Sequence, residues 1–455
     1  MKEILGLAVL VAAFYAQGEV DFNAGADVRI RQELMNNVPA MPNGSVWGNA
    51  KRGGFTDHMR FRERVWGEVK FLSEDIGNFR FYTRLNDEFR WCPEPYKNKN
   101  TFPDEVILDN LYLEGKGLFD GFLDFTFGRQ DIYNLYGLDH IFIDGTPGDG
   151  SRTVYSDMAR MCLNFTEESK LDLFALYNFD DSDVRWGTDR GKHRSLTGLG
   201  GPADPDMDDW GFGAVWGSNL GKMLPYQLFV MQKNSDTYER AGKKVPRTQR
   251  ELMGFKVMPR LNEEWSLQFE GMSQVGANGC GDMLTGWSSY AGINWKSSTD
   301  SSIKPFGDLG YLYRSGSDDA ADEEGGHSGW DPMWARGVSE SEMMLYGGNY
   351  GLAWWSNMHY IRLTIGVDLG PHHRVSAFSG PMFAANQDGM GGGDGMFMGY
   401  MNQVRYDFPL WIADKKKGER FEIFGHLLGE FFNPGDYYET DKPAFFLRWQ
   451  VEFKF

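Results

Sequence analysis

The final residues of the chain alternate without a break: Phe445, Leu447, Trp449, Val451, Phe453 and Phe455 are apolar, and Arg448, Gln450, Glu452 and Lys454 fill the gaps. A period of two is the signature of a strand with one greasy and one wet face. The same pattern recurs upstream. Val20 to Arg31 sets Val20, Phe22, Ala24, Ala26, Val28 and Ile30 against Asp21, Asn23, Asp27, Arg29 and Arg31. Met59 to Phe71 sets Met59, Phe61, Val65, Val69 and Phe71 against Arg60, Arg62, Arg64, Glu68 and Lys70. Phe79 to Arg90 opposes Phe79, Phe81 and Leu85 to Arg80, Arg84, Glu88 and Arg90, and Ile361 to Leu369 repeats the scheme around Arg362.

The connections between these segments alternate in length. Short ones include Leu72–Asn78, Gly117–Gly121, Arg260–Glu263, Gly370–His372 and Pro409–Gly418; long ones include Gln32–His58, Asp131–Met158, Gln274–Met283 and Ser315–Asn357. Eight short and nine long connections, beginning and ending on a long one, imply about 18 strands with both termini on the short-turn side. The expected fold is therefore all-β: a transmembrane antiparallel up-and-down barrel with both termini periplasmic. A soluble sandwich or propeller is the alternative, but its connections would not sort into two length classes. Residues 1–18 read as a cleaved secretory signal, with Lys2, an apolar run from Ile4 to Phe14, and Ala16-Gln17-Gly18 as the cleavage site. Residues 19–455 are then a single outer-membrane barrel domain.

Composition supports this class. Aromatic residues make up 15% of the chain and Gly numbers 57, a strand-and-turn bias, while a mean hydropathy of −0.47 and 24% charged residues leave no room for apolar spanning helices. Cys92, Cys162 and Cys280 form an odd, scattered set, read as buried or lumenal free thiols rather than a disulfide framework. The outer face would meet membrane lipid, and the terminal strand ending at Phe455 matches the signal read by the outer-membrane assembly machinery.

If the apolar face meets lipid, the polar face decides what passes. Arg29, Arg31, Arg60, Arg62, Arg64, Arg80, Arg84 and Arg90 would project inward from the first three strands, joined by Arg129, Arg160, Arg314, Arg362 and Arg405, in a chain whose net charge is −18. A guanidinium grips carboxylates through parallel donors, so such a wall suits anions. The opposing reading is a wall in which Glu63, Glu68, Glu88, Glu114 and Asp124 neutralise the arginines. Trp66, Tyr82, Tyr112, Tyr290 and Tyr360 are compatible with stacking against sugar rings or with simple barrel filling. Acidic runs at Asp180–Asp189, Asp204–Asp209 and Asp318–Glu324 read as solvated outer loops, and the Gly-rich stretch Gly389–Met396 as a loop tip without chemistry. No metalloprotease, nucleophile-elbow or phosphate-loop motif occurs, so neither catalysis, a cofactor, a metal nor nucleic acid is expected.

Gly128-Arg129-Gln130, leading to Asp144-Gly145 and Ser151-Arg152, resembles the alginate export family of outer-membrane barrels. Arg60, Arg62 and Arg64, the run Arg84 to Arg90, and Gly329-Trp330-Asp331-Pro332 followed by Glu340 and Glu342 are similar to it as well. The resemblance implies an 18-stranded monomer that exports an anionic polysaccharide passively through an arginine-lined lumen, with Arg152 among the residues it would use. The alternatives are a general or nutrient-uptake porin and, in a different class, an enzyme or adhesin with a filled barrel.

Overall fold

A computed structural model describes residues 19–39, 46–47, 56–72, 77–91, 106–130, 155–178, 185–186, 209–220, 223–240, 243–316, 329–331, 333–334, 341–343, 356–387, 391–414, 416 and 418–455. The expected leader at 1–18, Cys92, Arg152, and the acidic runs up to residue 208 and at 318–324 lie outside these residues.

Each amphipathic segment is a strand. The first nine are β1 (Glu19–Asn36), β2 (Thr56–Leu72), β3 (Asn78–Trp91), β4 (Val106–Leu118), β5 (Leu123–Gln130), β6 (Ser156–Thr166), β7 (Ser169–Asn178), β8 (Asp209–Leu220) and β9 (Leu224–Ser235). The second nine are β10 (Thr248–Val257), β11 (Trp265–Asn278), β12 (Met283–Lys296), β13 (Ile303–Arg314), β14 (Met358–Leu369), β15 (Arg374–Phe383), β16 (Phe397–Trp411), β17 (Glu422–Pro434) and β18 (Ala444–Lys454). Every strand pairs antiparallel with its sequence neighbours, and β18 closes on β1 with Phe453 opposite Val28. Eighteen strands thus form a closed up-and-down barrel with no free edge.

The register separates the two faces as the alternation requires. Phe22, Val65, Val230, Ile365 and Val404 lie on the outside and are 55–70% exposed. In water each such side chain would forgo about 1.5–3 kcal/mol of burial; in a bilayer it is already in its preferred solvent. Exposed aromatics gather at the two ends of the wall. Trp91, Tyr177, Trp210 and Phe383 stand at the long-loop end, and Phe119, Phe165, Trp265, Trp411 and Phe455 at the short-turn end. Two aromatic belts flanking an apolar band are the interfacial girdles of a membrane barrel.

Several details differ from the sequence expectation. Only Gly279, Cys280, Gly281 and Asp282 separate β11 from β12 on the long-loop side, because β11 runs on to Asn278, past the end the pattern indicated. Conversely, the inner connection between β16 and β17 covers 412–421 and exceeds the outer one at 435–443. Parity, not length, therefore assigns the side of each connection. Cys162 is buried, but Cys280 is exposed in that outer turn rather than buried or lumenal. Asp209 is not part of a solvated loop: it opens β8, is fully buried and accepts a hydrogen bond from Asn178 at 2.9 Å. The Gly-rich tip is ordered against the last outer loop, where Gly393 and Gly395 donate to the carbonyls of Tyr437 and Asp436.

Candidate functional site

The inner wall begins with the arginine set. Arg29 faces Arg62 and Arg31 faces Arg60 across β1 and β2, and Arg60 faces Arg90 across β2 and β3. Like charges directly opposite repel, so acids must interleave. Glu33, fully buried, takes Arg448 through Nε at 2.9 Å and Nη2 at 2.5 Å, Arg60 at 3.4 Å and Arg31 at 3.2 Å. Glu88 takes Arg60 at 2.6 Å and stands 4.0 Å from Arg29. Asp27 holds Arg64 at 2.8 Å and Arg62 at 3.3 Å, and Glu452 holds Arg62 at 2.9 Å. Arg29, Arg31, Arg60 and Arg62 are all less than a tenth exposed, so they brace the wall rather than present charge to a solute.

Closer to open lumen the same compensation holds. Arg80 donates to Glu68 at 2.6 Å and to the Tyr112 hydroxyl at 3.0 Å. Arg160 is bound by Asp172 at 2.6 Å, Arg405 by Asp407 at 2.7 Å, and Arg362 stands 4.0 Å from Asp308. Arg84 bonds both oxygens of Asp109 at 2.9 and 3.1 Å. Alternation from Tyr112 and Glu114 would turn Asp109 outward. A bulge where β3 passes from Arg84 to Leu85 against β4 instead leaves both Asp109 and Asn110 buried.

Two expected roles are corrected by register. Glu63 is not a lumenal counter-ion: it lies exposed on the outer face, opposite Val28 and Asp87. Arg129 stands opposite exposed Leu111 and next to Asp157, on the outer-face side of β5. There it makes bonds of 2.9 and 3.0 Å to Asp157 and covers the Tyr155 ring at 4.1 Å. Arg90 sits in β3 with its side chain outside the described set, and Arg152 is outside it altogether.

Part of the outer lumen is taken up by described residues of one long connection, which the alternation pattern did not place there. The connection from β13 to β14 sends Trp330, Met333 and Trp334 onto Met158, Phe174, Val215, Phe229, Met231, Leu252 and Met272, all inward residues of β6 to β11. Arg250 bonds Asp331 at 3.4 Å, Lys233 donates to the Met333 carbonyl at 2.5 Å, and Gln274 brackets Asp331 at 2.6 and 2.9 Å. Further along, Met343 packs among Met35, Met358, Met401, Phe432 and Phe446 on the opposite arc. There the Glu430 carboxylate accepts the Glu342 and Met343 amides, both at 2.8 Å, and Glu342 meets Arg448 at 2.7 Å. The described residues of this connection, hereafter the strap, are thus seated on both sides of the lumen. Gly211 and Gly286 permit its approach, since a Cβ at either would fall within 2.6 Å of Trp334 or the Gly329 carbonyl. Trp330 and Trp334, set in an acidic, glycine-rich stretch, were the available signal, because rings of that size seek burial.

A closed 18-stranded antiparallel barrel with two aromatic belts and an ion-paired inner wall defines the class: an outer-membrane β-barrel. Solved structures share that fold. OpdQ of Pseudomonas aeruginosa matches with a TM-score of 0.55 at 8% identity, covering 96% of this chain and 98% of that one. OpdL of the same organism gives 0.54 at 11% identity over 96% and 99%. OccK2 (OpdF), solved in complex with glucuronate, gives 0.52 at 10% identity over 95% and 98%. No family model and no curated protein matches the chain. The resemblance to the alginate export family is accordingly not carried by a family match, and the likeness in fold is to the Opd and Occ barrels.

Proposed function

We propose that the chain is a passive outer-membrane channel for small hydrophilic solutes, a general or nutrient-uptake porin. The observation that carries this reading is the pairing of the lumenal arginines. Arg80, Arg84, Arg160 and Arg405 each hold a carboxylate at 2.9 Å or less, so the wall offers a polyanion few free guanidiniums. The fold likeness to porins supports it. Export of an acidic polysaccharide is less well supported, because the strap between β13 and β14 occupies the outer lumen where a polymer would have to thread. The inner mouth follows the same rule: Lys70, Lys116, Lys296, Arg374 and Lys454, with side chains 37–66% exposed, each stand within 4.0 Å of a carboxylate.

Liposome swelling tests the proposal. Vesicles carrying the refolded barrel should swell in isosmotic solutions of small sugars and amino acids, with rates that fall as solute size rises. Absence of swelling with every solute would leave an enzyme or adhesin with a filled barrel.

A further inference from the structure

Towards the inner end of β2 to β4 three aromatic side chains cluster on the lumenal wall. Tyr82 and Tyr112 are directly opposite in the ladder, with ring centroids 5.2 Å apart, and Trp66 lies 6.1 Å from Tyr82. The Arg80 guanidinium covers both tyrosines, at 4.7 and 5.7 Å from their centroids. Trp66 and Tyr82 line a cavity of about 540 Å³ together with Glu68, Lys70, Arg80, Glu114 and Lys116. That volume falls within the roughly 300–1,000 Å³ usual for small-molecule sites.

We propose that this cavity is a binding subsite for an uncharged saccharide. Its walls combine aromatic surface with carboxylates and cationic donors, which is what the apolar C–H face and the hydroxyl edge of a pyranose require. Charge then discriminates among sugars. Glu68, its side chain only 5% exposed, already holds Lys70 at 2.7 Å and Arg80 at 2.6 Å, and Glu114 holds Lys116 at 2.9 Å. A solute carboxylate must draw Arg80 or a lysine away and leave the buried Glu68 under-compensated, which is strongly unfavourable. A hydroxyl asks for no such exchange, since it donates to a remaining carboxylate lone pair or accepts from a remaining N–H while the ion pairs stay closed. The stacked guanidinium and rings also hold the platform rigid before a solute arrives, which lowers the ordering cost of binding.

The inference rests on the channel reading for its biological use, but not for its test. Calorimetric titration of the full-length refolded barrel in detergent micelles would compare glucose, maltotriose and glucuronate, with conductance in planar bilayers measured separately. Maltotriose should bind more tightly than glucose, and glucuronate no more tightly than glucose. Tyr82→Ala should weaken maltotriose binding about fivefold, the scale of a lost ring contact, and Tyr82→Phe should retain it, both in barrels whose heat-modifiable gel mobility shows them folded. Tighter binding of glucuronate than of glucose, unchanged affinity in Tyr82→Ala, or no saccharide binding by the folded wild type would each overturn the proposal. A conducting barrel that binds no sugar sinks only this inference; one that binds maltotriose without conducting sinks only the channel reading.

Discussion

At the residue scale the wall is governed by how buried charges are matched. Glu33 illustrates this: one fully buried carboxylate holds Arg31, Arg60 and Arg448, and Arg448 carries the network on to Glu342 in the strap. Removing one partner of such a network leaves an uncompensated buried charge, with a loss of about 3–5 kcal/mol. Glu33→Gln should therefore lower the urea midpoint of the vesicle-inserted barrel markedly. Glu63→Gln should do the reverse, because Glu63 faces Asp87 on the outer wall and like charges in opposition are destabilising by about 0.2–1 kcal/mol even on a wet sheet. If Glu63→Gln proves as damaging as Glu33→Gln, the assignment of faces is wrong. The inward aim of Arg60, Arg62 and Arg80 was legible from period two alone. Some of their partners were legible as well, Glu88 for Arg60 and Glu68 and Glu114 for Arg80, whereas Glu452 on the last strand meets Arg62 only because the barrel closes. Asp109 escaped because a bulge breaks the alternation, and Arg129 because its local motif carried more weight than the phase of its strand.

At the scale of elements, the strands were readable and the strap was not. A strand repeats its message every second residue, whereas a loop that folds inward is specified by a few anchors: Trp330, Asp331, Trp334 and Met343. Those anchors meet partners in two separate core clusters and at their polar margins, most of them far from the loop in sequence. Asp331→Ala removes the bonds to Arg250 and Lys233 and should loosen the strap, raising single-channel conductance and the frequency of gating events. Unchanged current would mean that the strap does not set the passage. The outer face makes its own prediction. Val65→Lys places an ammonium in the apolar band and should reduce folding free energy in lipid vesicles by about 2–4 kcal/mol if the site lies at the bilayer midplane. The inner turns add a dependence on pH. The Glu264 carboxyl is held below the usual carboxylate range by the Ser298 amide and hydroxyl and by the Trp295 indole N–H, tying the β10–β11 turn to the β12–β13 turn. A depressed value means that this tie is complete above the ordinary carboxylate range and is lost as the pH falls through the lowered one. Hydrogen exchange at the Ser298 amide should quicken over that acid window and not at neutral pH.

At the scale of the whole molecule, the net charge of −18 says little about what the lumen selects. Strand number and the side of both termini followed from counting connections, a property of the whole chain that survives errors at single boundaries. Selectivity did not follow, because a row of arginines reads alike whether or not acids answer it. In this barrel the acids do answer, which leaves small solutes a passage with little charge discrimination. Reversal potential across a planar bilayer under a tenfold salt gradient tests it most directly, for the wild type and for Arg80→Gln and Arg362→Gln. A compensated wall should give a steady open current, a reversal potential far from the ideal value for either ion, and only a small shift in the variants. Strong anion selectivity that collapses in those variants would contradict it.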